Sequence, residues 1–345
     1  MATKRTPQAP IAMSSPKTPF LTPILVKVAE HMGAHVMIEP TYGSVGCITF
    51  RNGNTTFFRG AKLDINPLGA TEVAKDKGYT SFFLAQFGFS VPEEQTFFSD
   101  TLCRYVDNPR TIDDAFLYAT SIGYPVIIKP NQRSQGILVT KIYNKRDFYR
   151  TARAIFREDS VMLVQKFYAG NDYRILVLDD EVVAAYQRIP LYVVGNGFAT
   201  VRQLLMEKQE LFNEIHRGIT IDIDDFRIVL KLRRQKLTLD TILAQGKRIH
   251  LLDNANLSDG GDAVDLTQDI HQDWVRLCVD VAKKMGLRLC GVDIITQNIA
   301  KPMAPYIIIE TNASPGLRNY ASIGNAQVDL VEKLYTKVLQ AIEKA

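Results

Sequence analysis

The chain has 345 residues, of which 46% are apolar and 23% are charged, and its formal net charge is +4. This length and composition are typical of a folded protein with two or three subdomains, and they exclude an intrinsically disordered chain. The small charge, without runs of Lys and Arg between aromatic residues, argues against a nucleic-acid-binding surface, and no segment approaches the roughly 18 apolar residues of a membrane span.

The first third of the chain predicts a tail followed by a small αβ domain. Residues 1–17 are rich in Pro, Ser, Thr and Lys, so we expect a disordered tail there. The stretch PILVKVAEHM has helical spacing, and HVMIEP, GCITFRNG and TTFFRG are typical of strands. The stretch TEVAKDKGYTSFFLAQFGF then predicts one helix that stops at a glycine, before a strand that starts near Pro92.

The middle of the chain predicts an αβ subdomain and a hairpin. From Thr111 to Tyr168 the patterns give, in order, a helix (IDDAFLYATSIG), a strand (PVIIKP), a polar loop (NQRSQG), a strand (ILVTKIY), a helix (DFYRTARAIFRE) and a strand (VMLVQKF). The runs YRILVLDD and EVVAAYQRIP, joined by a tight acidic turn, predict a β-hairpin. The last third adds a basic insertion, a helix (HQDWVRLCVDVAKKMG), two strands (LCGVDIIT and YIIIET) and a closing helix.

The four cysteines and five histidines do not indicate a metal centre. Cys47, Cys103, Cys278 and Cys290 show no C-x-x-C pairing, and the histidines lack a zinc-type spacing. Because unpaired cysteines suit a reducing compartment, we expect a cytoplasmic protein without disulfides.

Three polar residues on the last two predicted strands indicate a magnesium site. Glu310 and Asn312 are two residues apart, so their side chains emerge on one face of an extended strand. Asp293 lies in the apolar run GVDIIT on the strand that we expect to pair with it. Such oxygen donors, completed by waters and phosphates, are those that Mg²⁺ prefers, whereas carboxylates between apolar residues otherwise carry a desolvation cost. The alternative is a pair of satisfied strand-end carboxylates.

Several cationic residues are candidates for phosphate binding. Lys129 ends the apolar strand GYPVIIKP, where a buried ammonium needs an anion. The loop NQRSQG offers side-chain and backbone donors, although its single glycine makes it a weak phosphate-loop signal. Arg174 and Arg188 lie on the hairpin, where guanidinium groups can clamp phosphate oxygens. For each arginine alone, a surface salt bridge is the alternative.

The order of these motifs resembles the ATP-grasp superfamily. The resemblance runs from Lys75 to about Gly324 through AKDKGYTSFFLAQFGFSVPE, GYPVIIKP, VMLVQKFYAGNDYRILVLDDEVVAA, GVDIIT and IIIETNASPGL. It is most similar to the ATP-grasp region of cyanophycin synthetase and of bifunctional glutathione synthetase. The segment from Arg188 to His271, hereafter the insertion segment, resembles cyanophycin synthetase in particular through RIPLYVVGNGFATVRQLL and NLSDGGDAVDLT.

The resemblance implies a mixed α/β fold with a small N-terminal αβ domain, an αβ lid and a C-terminal antiparallel-sheet domain. The implied boundaries are residues 18–75 for the N-terminal domain, 76–165 for the central and lid subdomain, and 166–345 for the C-terminal domain with the nucleotide and metal site. By matching positions, it also implies roles for individual residues. The expected roles are ATP binding by Lys77, Lys129, Gln165, Lys166, Tyr168 and Asp172, catalysis by Arg174 and Arg188, metal binding by Asp293, Glu310 and Asn312, and substrate contact by Ser258, Gly260, Gly261, Ser314 and Gly316.

The sequence departs from the family pattern at three points. Gln165 replaces the usual hinge acid, which leaves the nucleotide preference open, and the phosphate loop lacks most family glycines. Gly291 stands where D-alanine:D-alanine ligases carry an arginine, which disfavours that subfamily. The chain also has one ATP-grasp unit, whereas cyanophycin synthetase is a longer enzyme with a second ligase.

The expected activity is an ATP- and Mg²⁺-dependent carboxylate–amine ligase, with Mn²⁺ as a possible substitute, that forms an acyl phosphate and releases ADP and phosphate. Its expected partners are a small carboxylate, such as an amino acid or small peptide, and an amine, with a homo-oligomer possible and neither nucleic acid nor membrane involved. Two alternatives stay open at this point: a tailoring ligase that acts on a larger ribosomal peptide, and a catalytically inactive nucleotide-binding regulator.

Overall fold

The computed structural model describes residues 19–215 and 217–344, so the predicted tail at residues 1–17 lies outside the described residues. The chain divides into two units, one formed by Met1–Ile65 with Val331–Ala345 and the other by Asn66–Leu330. Among the described residues, no helix combines the length and apolarity needed to cross a bilayer.

The first unit contains one helix and a small sheet before the chain leaves it. Its elements are α1 (Leu21–His31), β1 (His35–Ile38), β2 (Val45–Thr49), β3 (Thr55–Arg59) and β4 (Lys62–Leu63). The strands form an antiparallel sheet in the order β1-β2-β3-β4. Ile24, Leu25 and Val28 are buried on α1, a spacing of three to four residues that places them on one face of the helix. The αβ pattern expected for this part of the chain is therefore present.

The second unit begins with a pair of helices, where one helix was expected. Its elements up to the hairpin are α2 (Leu68–Lys75), α3 (Lys77–Gln86), β5 (Glu94–Phe98), α4 (Asp100–Val106), α5 (Ile112–Ile122), β6 (Val126–Pro130), β7 (Thr140–Ile142), α6 (Lys145–Glu158) and β8 (Val161–Lys166). The single-helix prediction is wrong because Asp76 has extended backbone angles and accepts a hydrogen bond from the amide of Tyr79. This N-cap starts a new helix at Lys77.

The part of the chain predicted to form the lid is an antiparallel sheet covered by helices, which we call the lid sheet. Its strand order is β5-β8-β6-β7, and buried side chains of α5 and α6, among them Ala115, Phe148 and Ile155, pack with Val126 and Val164 of the sheet. The register pairs Gln165 on β8 with both Glu94 on β5 and Ile127 on β6. These residues therefore form one row across the lid sheet.

The C-terminal part of the second unit contains a larger sheet and the insertion segment. Its elements are β9 (Asn171–Leu178), β10 (Glu181–Ile189), β11 (Tyr192–Val194), α7 (Val201–Glu214), α8 (Phe226–Arg234), β12 (Arg248–His250), a 3₁₀ turn (Leu257–Asp259), β13 (Asp262–Asp265), α9 (Gln272–Lys284), β14 (Leu289–Thr296), β15 (Ile307–Asn312), α10 (Arg318–Ala321) and α11 (Asn325–Glu343), whose end belongs to the first unit.

The large sheet is antiparallel throughout, with the strand order β13-β10-β9-β14-β15. The predicted hairpin is β9 and β10, and Asp179 in its two-residue turn adopts the left-handed conformation that such turns require. Trp274 and Val281 on α9 are buried against one face of this sheet. The insertion segment has its own core, which includes Leu205, Phe212 and Ile249.

Candidate active site

The three predicted metal ligands meet at the junction of β14 and β15. The register pairs Asp293 with Glu310 and Gly291 with Asn312. The amide of Asn312 donates to Glu310 Oε1 over 3.3 Å. Glu310 keeps 24% of its side-chain surface exposed, whereas Asp293 is almost fully buried. Two carboxylates and one amide oxygen are therefore close together, as the strand pattern predicted.

The two hairpin arginines converge on the buried Asp293. Arg174 donates from Nε and Nη2 to the two carboxylate oxygens of Asp293, each over 2.6 Å. Arg188 donates from Nη2 to Asp293 Oδ2 over 2.8 Å. The neighbouring strands set this geometry, because β9 places Arg174 directly opposite Asp293. Burial raises the pKa of Asp293, and both guanidinium groups oppose that shift.

The same arginines link Asp293 to two further carboxylates. Arg188 donates from Nε to Asp172 Oδ1 over 2.8 Å, and its register partner on β9 is Asp172 itself. Arg174 Nη2 lies 3.6 Å from Glu310 Oε1. The arrangement is a continuous network in which guanidinium groups alternate with carboxylates. Such a network orients the charged side chains that belong to it.

Lys77 connects this network to the 131–136 loop. Its Nζ donates to the carbonyl oxygens of Asn131 and Arg133 over 3.2 and 2.7 Å and lies 3.9 Å from Glu310 Oε2. The position follows from the helix break, because Asp76 both caps α3 and accepts from the Asn131 side chain over 2.6 Å. The family resemblance implied that Lys77 is a phosphate ligand, but the sequence did not predict the helix break that orients it.

Glu310 is strongly influenced by these cations. Burial by itself would raise its pKa, but Lys77, Arg174 and Lys129 outweigh burial and lower the pKa to about 2. Glu310 is therefore ionised at neutral pH. Its contacts with Lys77 and Arg174, at 3.9 and 3.6 Å, are longer than ordinary hydrogen bonds. Its oxygens consequently keep the capacity to bind a hard cation.

Lys129 is a buried ammonium without a close partner. Only 4% of the residue is exposed, and within residues 19–215 and 217–344 it makes neither a hydrogen bond nor an ion pair. Burial lowers its pKa, while the nearby carboxylates of Glu94 and Glu310 oppose the shift. A buried ammonium without a hydrogen-bonded anion is costly. An anion in hydrogen-bonding contact with Lys129 would therefore be stabilised, since Glu94 and Glu310 act on it only from a distance.

Glu94 is a further buried charge near Lys129 that the sequence analysis missed. Burial raises its pKa and Lys129 opposes that shift, and its Oε2 has no hydrogen-bond partner. The neighbouring Glu93 is instead exposed and pairs with Lys166 over 3.0 Å. The available signal was the alternation of side chains along a strand, which turns one of two adjacent glutamates inward. The sequence alone did not show which one.

The predicted adenine hinge lies at the end of β8. Gln165 is buried, whereas Lys166 is exposed. The amide of Lys166 donates to the carbonyl of Glu93 over 2.9 Å, and the hydroxyl of Tyr168 accepts from the amide of Glu93 over 3.1 Å. The predicted hinge is thus hydrogen-bonded to the backbone of Glu93, the residue before β5.

The insertion segment reaches the 131–136 loop through Ser258. Its hydroxyl donates to the carbonyl of Gln135 over 3.1 Å, and Arg227 Nη1 donates to the carbonyl of Gly136 over 2.7 Å. Gly260 has a left-handed φ of 88°, and a Cβ on Gly261 would lie 2.7 Å from a backbone oxygen of Ile189. Both glycines are therefore required by the local backbone, and Ser258 is brought to the 131–136 loop.

Ser314 and Gly316 lie in the turn between β15 and α10. Pro315 in this turn lies against Gly291 of β14, where an added Cβ would come within 3.3 Å of the proline Cβ. The turn runs directly into α10, which contacts the 3₁₀ turn Leu257–Asp259 that contains Ser258. The two groups of predicted substrate residues therefore lie on separate elements, the first on the insertion segment and the second after β15, and these elements meet at α10.

Among the described residues, no group of three or more His, Cys, Asp or Glu side chains is arranged to hold a metal ion. The residues that could hold one are the predicted Asp293, Glu310 and Asn312, of which Asp293 already accepts hydrogen bonds from Arg174 and Arg188. This set fits Mg²⁺, which typically binds one or two carboxylates together with phosphate oxygens and water.

Comparison with known proteins agrees with this architecture. The model of the RimK-like ATP-grasp domain matches residues 74–192 and 241–337. Cyanophycin synthetase from Geminocystis herdmanii is 34% identical over 263 residues, covering 73% of this chain and 28% of the relative. The bifunctional glutathione biosynthesis protein from Pasteurella multocida is 32% identical over 276 residues, covering 77% of this chain and 34% of the relative.

A solved structure shows the same fold. The bifunctional glutathione synthetase from Pasteurella multocida superposes with a TM-score of 0.58 at 24% identity, covering 93% of this chain and 45% of that chain. The chain spans about a third of the length of the curated relatives it matches. The predicted resemblance to cyanophycin synthetase and glutathione synthetase is confirmed. The chain belongs to the RimK-like ATP-grasp family of ligases.

Proposed function

We propose that the protein is an ATP- and Mg²⁺-dependent ligase that activates a carboxylate as an acyl phosphate and joins it to an amine, with an amino acid or small peptide as substrate. The main support for the proposal is that the buried Lys129 has no hydrogen-bonded anion and lies near the ion pair of Lys77 and Glu310. A polyphosphate supplies the anion that Lys129 lacks, and Glu310 supplies an open metal ligand beside it.

The residues divide the work of phosphoryl transfer as follows. Lys77 and Lys129 hold the phosphates and balance their charge, while Arg174 and Arg188 stabilise the charge that develops on the transferred group. Glu310, Asn312 and Asp293 would hold Mg²⁺, which when bound neutralises phosphate charge. The substrate carboxylate oxygen attacks the γ-phosphorus, and the bond to the bridging oxygen of ADP breaks. The amine then attacks the acyl carbon, phosphate leaves, and the amine loses one proton.

In this mechanism Asp293 both binds the metal and holds the two arginines in place. Both of its oxygens accept hydrogen bonds from guanidinium groups. It therefore fixes the plane of Arg174 through a bidentate contact, which is more rigid than a single bond, and it holds Arg188 through one hydrogen bond. Glu310, with its longer contacts, is the more available of the two carboxylates for a metal.

The insertion segment supports a role in substrate contact. Ser258 and Arg227 both hold carbonyl groups of the 131–136 loop. The same segment that presents Gly260 and Gly261 is therefore tied to the loop expected to cover the phosphates. The insertion segment that contacts the substrate would then be hydrogen-bonded to the loop that encloses the phosphates.

The test is ADP formation with a pool of amino acids, followed by fractionation of the pool. We expect ADP and phosphate only with Mg²⁺ and the correct carboxylate, and hydroxylamine should trap the acyl phosphate as a hydroxamate in equal amount to ADP. Release of AMP and pyrophosphate would reject the acyl-phosphate route. A response to a long peptide alone would indicate a peptide-tailoring ligase, and ATP binding without turnover would indicate an inactive regulator.

A further inference from the structure

Glu94 lies on the inner face of the lid sheet, by which we mean the face turned away from α5 and α6. Phe97 on β5 and Val164 on β8 pack with the helices on the opposite face. Because successive side chains of a strand point to opposite faces, Glu94, Gln165 and Lys129 all lie on the inner face. Glu94 therefore shares this face with two residues that are expected to bind ATP.

The Glu94 carboxylate is directly beside the predicted hinge and lacks a partner. The register pairs Glu94 with Gln165, and cross-strand partners have Cβ atoms about 4.5–5.5 Å apart. Its Oε2 is buried and accepts no hydrogen bond within the described residues, which is costly for a polar group. Burial raises the pKa of Glu94, whereas Lys129 and Lys77 act against burial and favour the ionised form. A hydrogen-bond donor from a ligand would therefore satisfy this oxygen.

The side chain of Gln165 cannot by itself distinguish one purine base from another. A carboxamide has an oxygen acceptor and an amino donor, and it can turn either one towards a ligand. An ionised carboxylate, in contrast, only accepts hydrogen bonds. Adenine carries an amino donor at position 6, whereas guanine carries an oxygen acceptor there, as does hypoxanthine. A carboxylate beside the hinge therefore favours a 6-amino group and repels a 6-oxo group.

Lys129 completes the match to adenine. Burial lowers the pKa of Lys129, and Glu94 is the carboxylate that opposes this shift most strongly, so the two charges lie near each other on the inner face. One edge of adenine has the acceptor N7 next to the 6-amino donor, whereas guanine has two acceptors, N7 and O6, on the same edge. An ammonium beside a carboxylate matches the first pattern and not the second. The three N–H donors of Lys129 allow a phosphate contact in addition.

We propose that Glu94 is a specificity-determining residue that accepts a hydrogen bond from the 6-amino group of adenine and thereby selects ATP over 6-oxopurine nucleotides. The inference rests on the proposed ligase function, whose nucleotide it identifies as ATP. Gln165 stands where the family usually has an acid. Glu94, directly opposite on the neighbouring strand, supplies a carboxylate for that position.

The experiment measures binding to the full chain by titration calorimetry, with Mg²⁺ and without amino acids. The probes are ATP, inosine triphosphate (ITP) and inorganic tripolyphosphate. ITP has a 6-oxo group and a proton on N1 where ATP has the 6-amino group. The variant is Glu94→Gln, which keeps the size of the side chain but can donate as well as accept. The control is Glu72→Gln, the same substitution at an exposed glutamate of α2 that pairs with Lys75.

We expect the wild type and Glu72→Gln to bind ATP about tenfold or more tightly than ITP, because a hydrogen bond to a charged group is gained with ATP alone. Glu94→Gln should reduce this ratio to about threefold or less. Tripolyphosphate should bind Glu94→Gln at least as tightly as the wild type, because Lys129 loses a neutralising charge. That charge effect is common to all three probes, so the ratio of ATP to ITP affinity reports on the base alone.

Equal or tighter binding of ITP by the wild type, or no binding of either nucleotide, would overturn the proposal even if Glu94→Gln does not fold. An unchanged ratio in folded Glu94→Gln would also overturn it, because Glu94 would then act only through the charge of Lys129. The ligase is tested separately by ADP formation. ADP formation without a Glu94-dependent ratio refutes only the role of Glu94, whereas a Glu94-dependent ratio without ADP formation refutes only the ligase.

Discussion

Replacing Lys129 by methionine tests two effects of its buried charge separately: the loss of folding stability and the gain in ATP affinity. Methionine keeps the length and apolar stem of lysine but removes an ammonium that has no hydrogen-bond partner among the described residues. We expect Lys129→Met to leave the free energy of unfolding of the nucleotide-free protein unchanged or raised, because an unpartnered buried charge is unfavourable. The same change should weaken ATP binding.

The magnitude follows from the contact that is lost. A hydrogen bond to a charged group contributes about 1.5–3 kcal/mol, which corresponds to roughly 10- to 150-fold in the dissociation constant. At an ATP concentration 100 times the dissociation constant, the wild-type protein gains about 2.7 kcal/mol of stability. A variant that binds about 30-fold more weakly gains only about 0.9 kcal/mol at the same concentration.

The assay is denaturant unfolding with and without ATP, together with titration calorimetry. Lys283→Met is the matched control, because Lys283 is exposed and pairs with Asp180 on the surface, so it should change ATP affinity little. Unchanged ATP affinity in Lys129→Met would refute the phosphate assignment. A loss of nucleotide-free stability beyond that of the control would show that Lys129 is satisfied within the protein.

Three further outcomes test the carboxylate network. Glu310→Gln should leave the protein folded by circular dichroism but lower the Mg²⁺-dependent rate of ADP formation about 100-fold or more, since an amide is a poorer metal ligand; a normal rate at limiting Mg²⁺ would contradict this. Because the Glu310 pKa is lowered from 4.5 to about 2, its stabilising contribution is complete above pH 4.5 and is lost as the pH falls towards 2; unfolding curves of wild type and Glu310→Gln should therefore converge in that window, and parallel curves would refute the pKa assignment. Asp293→Asn should cost about 3–5 kcal/mol in urea unfolding, because it leaves Arg174 and Arg188 buried without their shared carboxylate; Asp172→Asn, at a side chain that is 23% exposed, should cost less, and an equal cost would show that Asp293 is not the centre of the network.

The sequence by itself determined the elements and the local placement of several site residues. The apolar runs around Asp293 and Glu310 predicted two paired strands, and the two-residue spacing of Glu310 and Asn312 placed them on one face. Both features are found in β14 and β15. The hairpin of β9 and β10 could also be predicted from the sequence, because a short acidic turn between two apolar runs is typical of a β-hairpin.

Local patterns failed where a polar contact from a distant element overrides helix periodicity. The stretch that contains Asp76 has continuous helical spacing, yet the chain breaks there. Asp76 caps the second helix and accepts from Asn131, which is 55 residues away in sequence. An aspartate inside a helical pattern can interrupt the helix when a side chain from a distant element, here Asn131, is placed to hydrogen-bond with it.

Only the tertiary structure decided which charges are paired and which are not. Arg174 and Arg188 were predicted as phosphate ligands, but their approach to Asp293 follows from the strand order that sets β9 beside both β10 and β14. The isolation of Lys129 and the inward turn of Glu94 likewise depend on the lid sheet. The period of a strand shows which side chains share a face, whereas burial and ion pairing depend on the elements that long-range folding brings against that face.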